Sequence, residues 1–324
     1  MSPRTAAETG AQSDPQTGPE TDLKMGFVGV LTAGSSIMKV FPRWAQALGL
    51  PTRRLAGHDL PLDASDADYR TLVAAIRDDP AHLGALVTTH KIGVFQAAAE
   101  LFDEVDDFAR LCGEISSISK DGGRLIGHAK DPVTAGLSLE EFLPPDHFRH
   151  TGADVVCLGA GGAGTALTWY LARRPDRPGR IVCTDVSAER LAHLRDVHVG
   201  GGLDPGVFRY ERVESAGDGD RLVAAAAPGT LVVNATGLGK DRPGSPLTDG
   251  ARFPEHGLVW ELNYRGRLDF LQQALAQRAE RDLTVIDGWR YFIHGWTQVI
   301  AEVFHLDLDA PAVERLAAMA QELR

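Results

Sequence analysis

The chain has 324 residues, enough for two domains of ordinary size, with 44% hydrophobic and 24% charged residues. Its formal charge of -11 at pH 7 argues against nucleic acid as a partner, because no basic block stands out to neutralise phosphates. No apolar run approaches the roughly 18 residues that a membrane span requires. We therefore expect a soluble globular protein that binds neither nucleic acid nor membranes.

The first residues and the cysteines indicate where the protein works. Residues 1–24 are polar and lack the apolar core of a signal peptide, so we expect a disordered leader. Cys112, Cys157 and Cys183 lack the spacing of a metal site, and two of them lie in apolar, strand-like runs. We therefore predict no metal ion, buried thiols and a cytoplasmic location. The sequence leaves the oligomeric state open, and a homodimer is compatible with it.

From residue 25 onward the first half of the chain alternates strands and helices. The predicted elements are a strand at 26–31, a helix at 38–48, a strand at 52–56, a helix at 66–77, a strand at 85–88 and a helix at 93–102. This alternation predicts a mostly parallel sheet that is covered on both faces. A hairpin formed by 114–119 and 124–128 is expected to close the sheet.

A glycine-rich segment lies near the middle of the chain, between an apolar run at 154–158 and a helix-forming stretch. Its residues are Gly159, Ala160, Gly161, Gly162, Ala163 and Gly164. In a GxGxxG sequence the first glycine permits a tight turn, the second lets the backbone approach a pyrophosphate, and the third lets helix and strand pack closely. The positive end of the helix would then face the phosphates. An ordinary glycine-rich turn is the alternative, but the flanking strand and helix favour a dinucleotide site.

The second half continues the alternation to the end of the chain. Helices are predicted at 131–142, 163–173, 188–196, 269–278, 289–304 and 311–323, and strands at 180–185, 231–234, 257–262 and 283–286. We predict an α/β protein with a mostly parallel substrate-binding domain over 25–133 and a Rossmann domain over 134–288. The segment 289–324 is expected to pack back on the first domain, which places the active site in the cleft between the two domains.

Polar side chains follow several of the predicted strands. Ligands of an open α/β sheet bind beyond the carboxyl ends of its strands. The segments selected by this rule are 34–36, 88–91, 128–131, 234–237 and 263–264. They supply hydroxyls, a lysine, a carboxylate, an amide and a phenol around a nicotinamide site. That set of groups is suited to reducing a carbonyl or oxidising an alcohol on a polar substrate.

The order of these segments resembles the shikimate dehydrogenase family, with its quinate-oxidising members, over nearly the whole chain. Segment 159–164 is similar to the family's GAGGA(A/G), 234–239 with 246–247 to NATPxG…PL, 127–131 to GxNTD, 84–91 to GxNVTxPxK, 262–264 to the VY element, and 287–293 to DGxxMLV. The resemblance implies that Lys91 donates or accepts the proton and that Asp131 orients it. A solvated lysine and a helix N-cap are the purely structural alternatives for these two residues. The cofactor contacts it implies outside the glycine-rich loop are Asn234, Ala235, Thr236 and Gly237.

Several substrate-binding groups of that family are exchanged in this chain. The two serines that would hold a substrate carboxylate fall at Ser35 and Ile37, and Ser36 can substitute if the loop shifts. A site that loses hydrogen-bonding partners loses specificity, so we do not assign shikimate as the substrate. His90 has no counterpart, and contact with substrate or packing against the strand end are equal alternatives. The predicted substrate-binding residues are Ser35, Ser36, Thr88, His90, Ser116, Tyr264 and Gln298.

Asp185 determines the cofactor prediction, because it falls about 20 residues after the last glycine of the loop. A carboxylate there accepts hydrogen bonds from the ribose hydroxyls and repels a 2′-phosphate, so we predict NAD in preference to NADP. Asp185 as the N-cap of the next helix is the alternative.

The resulting functional prediction is an NAD-dependent dehydrogenase that interconverts hydroxyl and keto groups on a small polar substrate, a cyclic acid or a cyclitol-like molecule. The alternatives are a shikimate or quinate dehydrogenase proper, an enzyme of the same plan that acts on a one-carbon folate, and a non-catalytic nucleotide-binding regulator.

Overall fold

The structure, a computed structural model, describes residues 22–240 and 242–324. The predicted leader therefore lies outside the described residues except for its last three, and Lys24 already belongs to the first strand. Within the described residues, no helix is both long and apolar enough to cross a bilayer. All three cysteines are buried free thiols.

The first sheet has six strands and mixed direction. Its strands in chain order are β1 (Lys24–Gly29), β2 (Leu55–Asp59), β3 (His82–Val87), β4 (Glu104–Val105), β5 (Ser117–Asp121) and β6 (Arg124–His128). The spatial order is β2-β1-β3-β5-β6-β4. Strand β1 is parallel to β2 and β3, whereas β5 is antiparallel to β3 and β6. The predicted hairpin is therefore confirmed, but its first strand begins at Ser117 rather than at residue 114.

Five helices belong to this part of the chain. They are α1 (Ile37–Leu48), α2 (Asp66–Asp78), α3 (Lys91–Ala98), α4 (Asp107–Cys112) and α5 (Asp131–Glu140). Local sequence explains their starts: Ser65 and Asp68 form a capping box on α2, Asp106 caps α4, and Pro132 stands in the first turn of α5. Two of these starts, at Lys91 and Asp131, follow strands whose ends face the centre of the molecule.

The second sheet has six strands, all parallel. They are β7 (Val155–Leu158), β8 (Ile181–Asp185), β9 (Phe208–Arg212), β10 (Leu231–Asn234), β11 (Leu258–Glu261) and β12 (Thr284–Ile286). Their spatial order is β12-β11-β10-β7-β8-β9. Numbered within the domain, this is the 3-2-1-4-5-6 order of a Rossmann fold, and its switch point lies between β7 and β10. The predicted doubly wound domain is confirmed.

Helices cover both faces of the second sheet, and the last two return to the first. The remaining helices are α6 (His147–Thr151), α7 (Gly162–Arg173), α8 (Ala188–Gly200), α9 (Ala216–Ala224), α10 (Asp269–Arg281), α11 (Trp289–Val303) and α12 (Ala310–Gln321). Phe292 and Trp296 of α11 lie in one buried cluster with Phe27 of β1 and Trp44 of α1. The ring centroids of Phe27 and Trp296 are 4.9 Å apart. Burial of these aromatic side chains attaches the end of the chain to the first sheet.

Five short elements were not predicted from the sequence. They are β4, α4, α6, β9 and α9, and the longest of them has nine residues. Elements of this length give little periodicity, and β9 (FRYER) is mostly polar because it lies at the edge of its sheet. The unpredicted α4 matters for function, because the residue that follows its C-cap enters the cleft.

Candidate active site

Lys91 and Asp131 form the central charged pair of the cleft. Each residue begins a helix directly after a loop at a strand end, α3 after β3 and α5 after β6. Lys91 Nζ donates to Asp131 Oδ1 at 2.6 Å, and the two side chains are 20% and 14% exposed. Asp131 Oδ2 is buried and has no hydrogen-bond partner within the described part of the chain. The pair therefore presents an ammonium group and an open carboxylate oxygen, which together match a ligand hydroxyl.

The surrounding charges keep Lys91 protonated. Burial alone would lower its pKa, but the carboxylates of Asp131 and Glu114 outweigh that effect and raise the pKa of Lys91 above its ordinary value. Lys91 is therefore an ammonium at neutral pH. A group in that state can donate a proton to an oxygen that gains negative charge.

Glu114 is a site residue that sequence reasoning did not identify. The left-handed backbone of Gly113, with φ of 65°, ends α4, and Glu114 N donates to Ala109 O at 3.2 Å. The Glu114 side chain is thereby directed at the glycine-rich loop and the residue is 4% exposed. Burial raises the pKa of its carboxyl to about 7 although Lys91 opposes the shift. Its one sequence signal is an acid between the apolar residues Cys112 and Ile115.

Tyr291 is the second site residue that the sequence did not single out. Its hydroxyl is buried and without a hydrogen-bond partner among the described residues. Burial raises the pKa of this phenol well above its usual value, and the carboxylates of Asp131 and Glu114 act in the same direction. Tyr291 therefore faces the same cluster from α11 as a neutral hydroxyl.

The glycine-rich loop has the geometry that a dinucleotide pyrophosphate needs. Gly159 has φ of 110°, and a Cβ there would lie 2.7 Å from the backbone of Ala235. A Cβ at Gly164 would overlap Gly159 O, so strand and helix touch at this point. The N-cap position of α7 is Gly161, which has open space beside it and no side-chain cap. The amide groups of this helix start are available to an anion, so the loop fits a dinucleotide.

Asp185 and Asn234 shape the loops around this site through their side chains. Asp185 Oδ2 accepts from Ala160 N at 2.9 Å, and its Oδ1 accepts from Ser187 N at 2.9 Å.

Asn234 Oδ1 accepts from the Thr236 hydroxyl at 2.7 Å, while Asn234 Nδ2 donates to Glu261 Oε2 at 2.8 Å. Burial raises the pKa of Glu261 to about 7 despite these bonds. The segment 234–237 therefore reaches the cofactor region with its backbone, since the Asn234 side chain is fully buried.

Ser35 and Tyr264 bring two hydroxyls together across the cleft. Their oxygens are 3.3 Å apart, although the residues lie in different halves of the chain. The Tyr264 ring packs on Phe292 with centroids 4.3 Å apart, and Lys240 Nζ lies 5.9 Å from its centroid. Ile37, at the position of the second serine, is fully buried in the core. The pocket therefore keeps one serine and the tyrosine and has an apolar core residue in place of the other serine.

Three predicted substrate-binding residues make internal contacts. His90 Nδ1 bonds to the Tyr69 hydroxyl at 2.9 Å and its Nε2 to Leu60 O at 3.0 Å, so both ring nitrogens are occupied. The Thr88 hydroxyl donates to Val28 O at 3.0 Å. Ser116 Oγ accepts from Lys130 N at 2.8 Å. Strand-end residues also have to satisfy the backbone of their loops, and the assignment of these three residues to the substrate site stays a prediction. Ser116 holds the loop that leads to Asp131.

Ser36 and Gln298 complete the set of predicted substrate-binding residues, and Lys130 directly precedes Asp131. Ser36 is half-buried at the N-cap of α1 and makes no capping bond with its side chain. Gln298 is half-buried on α11, one turn beyond His294. Lys130 forms an ion pair with Glu302, which also bonds to His128. Lys130 is therefore a structural ion-pair partner.

Comparisons with known proteins place this site in a family. No model of a protein family matches the chain. A relative named shikimate dehydrogenase (NADP(+)), from Symbiobacterium thermophilum, is 30% identical over 235 residues, which are 72% of this chain and 74% of the relative. A protein of the same name from Salinibacter ruber is 34% identical over 193 residues, 56% of this chain and 60% of its own.

The solved structures show the same fold. Quinate dehydrogenase from Corynebacterium glutamicum, in complex with NAD, superposes with a TM-score of 0.70 at 23% identity. The match covers 93% of this chain and 99% of that one. The chain belongs to the shikimate dehydrogenase family of oxidoreductases.

The preference for NAD over NADP that Asp185 predicted is wrong. The curated relatives that share sequence with this chain are named for NADP(+). The structure supplies a physical reason why Asp185 misled: both of its oxygens accept from backbone N–H groups of the protein itself. A carboxylate bound in this way stabilises the loop. Its presence alone therefore does not indicate that it binds the ribose hydroxyls.

Proposed function

We propose that the protein is a dehydrogenase that interconverts a hydroxyl and a carbonyl on a small polar substrate, with NADP(H) as its cofactor. The observation that carries the proposal is the 2.6 Å contact between Lys91 Nζ and Asp131 Oδ1. Beside it lies Asp131 Oδ2, which has no hydrogen-bond partner among residues 22–240 and 242–324. The cofactor would supply or accept the hydride at the substrate carbon. The choice of NADP(H) follows the names of the curated relatives.

Lys91 and Asp131 have separate roles in this proposal. The ammonium of Lys91 donates a proton to the carbonyl oxygen during reduction and takes it back during oxidation. Asp131 keeps that ammonium in place through Oδ1 and accepts a substrate hydroxyl at Oδ2. The substrate thus needs a second polar group beside the reacting carbon, as a cyclic polyol or a hydroxy acid has.

Ser35 and Tyr264 support the polar part of the substrate class. Their hydroxyls are 3.3 Å apart and can share one substrate oxygen. Substrates with a carboxylate or several hydroxyls fit this arrangement. Because buried Ile37 replaces the second serine, binding of shikimate itself is expected to be weaker than in a site with both serines.

The test combines a substrate panel with substitution of Lys91. Shikimate, quinate and inositols are offered with NADP+ and NAD+, and the reverse reaction is followed with the matching ketones and NADPH. For the substrate that turns over, Lys91→Met is expected to lower kcat by about 100-fold or more while the Kd for NADPH stays within threefold. Lys39→Met, which removes an exposed lysine, is the matched control.

Unchanged turnover in Lys91→Met would remove Lys91 from the mechanism. Tight binding of NADPH without turnover of any member of the panel would favour the non-catalytic regulator instead.

A further inference from the structure

Glu114 is a buried carboxyl at the position where an anionic ligand is expected. The residue is 4% exposed. Among the described residues, only burial and Coulombic interactions act on its carboxyl, and no hydrogen bond reaches it. A Cβ built on Gly162 would lie 2.8 Å from Glu114 Oε1 and 2.9 Å from its Cδ. Gly162 is the first residue of α7, so the carboxyl group lies against the helix start that would hold a pyrophosphate.

Charged and titratable groups surround Glu114 on several elements. Those that act on it or are acted on by it are Lys91 of α3, Cys112 of α4, Asp131 of α5, Arg190 of α8 and Tyr291 of α11. His193 of α8 bonds to Cys112 O, two residues before Glu114, at 3.0 Å. The Lys91 ammonium gives one of its three N–H groups to Asp131, and its interaction with Glu114 is Coulombic only. Glu114 is therefore left with Coulombic attraction alone, from Lys91 and Arg190.

An ionised Glu114 and a bound pyrophosphate are incompatible neighbours. Both carry negative charge, and because Glu114 is only 4% exposed, water screens their repulsion poorly. Arg190 Nη1 lies 3.8 Å from the Cβ position of Gly161, where it can attract a phosphate but cannot neutralise both anions. Uptake of a proton by Glu114 removes the repulsion without moving the backbone. Its carboxyl, with a pKa of about 7, can accept that proton at physiological pH.

We propose that Glu114 takes up a proton when the phosphates of a dinucleotide bind at the glycine-rich loop, so that cofactor binding and protonation of this carboxyl are coupled. The inference rests on the proposed function, because it takes this loop as the cofactor site. Protonated Glu114 can also donate a hydrogen bond to a phosphate oxygen. By reciprocity of linkage, cofactor affinity falls as the pH rises through the pKa of Glu114.

The coupling is measured on binding, without turnover. Isothermal titration of NADPH at pH 8 in two buffers of different ionisation enthalpy is expected to show uptake of nearly one proton per dinucleotide. The Kd for NADPH should rise by about 50-fold between pH 7 and pH 9 for a group that titrates near 7. In this range the 2′-phosphate stays ionised. ADP-ribose, titrated in parallel, reports on the pyrophosphate alone.

Glu114→Gln isolates the responsible group. This neutral variant is expected to bind NADPH at pH 9 as tightly as the wild type binds it at pH 7, with no proton uptake. Glu280→Gln removes the same charge from an exposed site on α10 and should keep the wild-type pH dependence. The two-buffer titration of the wild type needs no variant, so the proposal stays testable if Glu114→Gln does not fold.

Each outcome decides the proposal. Proton uptake below about 0.2 per dinucleotide by the wild type, or an unchanged pH dependence in Glu114→Gln, overturns the role of Glu114 and leaves the proposed dehydrogenase intact. Failure of both wild type and Glu114→Gln to bind NADPH or NADH at any pH overturns the proposed function itself. Tight binding by Glu114→Gln at pH 9, where the wild type binds weakly, supports the coupling.

Discussion

Lys91 and Asp131 lie 40 positions apart in the sequence and meet at 2.6 Å because each is the first residue of a helix that follows a strand of the same sheet. Glu114, which interacts electrostatically with both residues, lies against the glycine-rich loop of the second domain. The contact therefore depends on the sheet order, which brings β3 and β6 to either side of β5. Two separate loops therefore supply the neighbouring ammonium and carboxylate groups that the proposed reaction needs.

Asp131→Asn should leave the fold intact and lower kcat by about 100-fold or more, because the amide keeps the shape but not the charge that supports the Lys91 ammonium. The pKa of Lys91 is raised in part by the Asp131 carboxylate and should fall in this variant. The loss of activity at alkaline pH is then expected to begin at a lower pH than in the wild type. A pH profile of kcat measures both effects. Asp146→Asn, at the start of α6, is the control. If kcat of Asp131→Asn declines at the same alkaline pH as that of the wild type, the assignment is contradicted.

Gly161→Ala should mainly weaken cofactor binding, whereas Gly164→Ala should mainly lower the stability of the fold. A Cβ at Gly161 meets only Arg190 Nη1, at 3.8 Å, so its stability cost is expected to stay within about 1 kcal/mol. The same methyl group occupies the approach of a pyrophosphate, and the Kd for NADPH should rise about tenfold or more. At Gly164 the Cβ overlaps the carbonyl of Gly159, and we expect a loss of about 2 kcal/mol or more. Thermal unfolding and NADPH titration distinguish the two, and equal behaviour of the variants would contradict the loop geometry.

Tyr264→Phe and Ser35→Ala should raise KM more than they lower kcat, because the hydroxyls hold the substrate and do not move the proton. A net hydrogen bond of about 1 kcal/mol corresponds to about a fivefold rise in KM for each change. Since the two oxygens are 3.3 Å apart, the effects are expected to be non-additive in the double variant. Tyr170→Phe, whose hydroxyl bonds to Glu140 outside the cleft, should leave KM unchanged. A larger effect on kcat than on KM would assign Tyr264 a chemical role.

His90→Ala should reduce stability by about 2–3 kcal/mol without changing KM, because its two ring nitrogens bind Tyr69 and Leu60. Burial lowers the pKa of His90 below its ordinary 6.5. The unfolded chain therefore binds more protons at this residue than the folded protein, and the contribution of His90 to stability is lost as the pH falls below about 6.5. Urea unfolding at pH 5 and pH 8 tests this dependence. Exposed His150→Ala serves as control, and an altered KM in His90→Ala would return His90 to the substrate site.

Periodic patterns and a few motifs were sufficient to predict most of this fold from the sequence. Three strands of the second sheet, β7, β10 and β11, are continuous buried runs, and the glycine spacing of 159–164 has its own steric meaning. The family resemblance pointed to Lys91 and Asp131, whose side chains are in contact in the structure, and their catalytic role stays a prediction. Short or polar elements such as β9 gave too little pattern to be found.

The identity of the polar groups that face the ligand was decided by tertiary structure alone. His90 and Thr88 stand at strand ends, as site residues do, yet backbone groups from distant segments use up their polar atoms. Glu114 could not be identified from a sequence pattern, because the role of an isolated acidic residue depends on its burial and on the loop that it contacts. Asp185 misled for the same reason, since its bonds to the loop backbone cannot be read from spacing. The sequence by itself determined the sheets and the glycine-rich turn, because these follow from local sterics and periodicity, and the candidate proton carriers came from the family resemblance. Which side chains remain free to bind was decided by long-range packing.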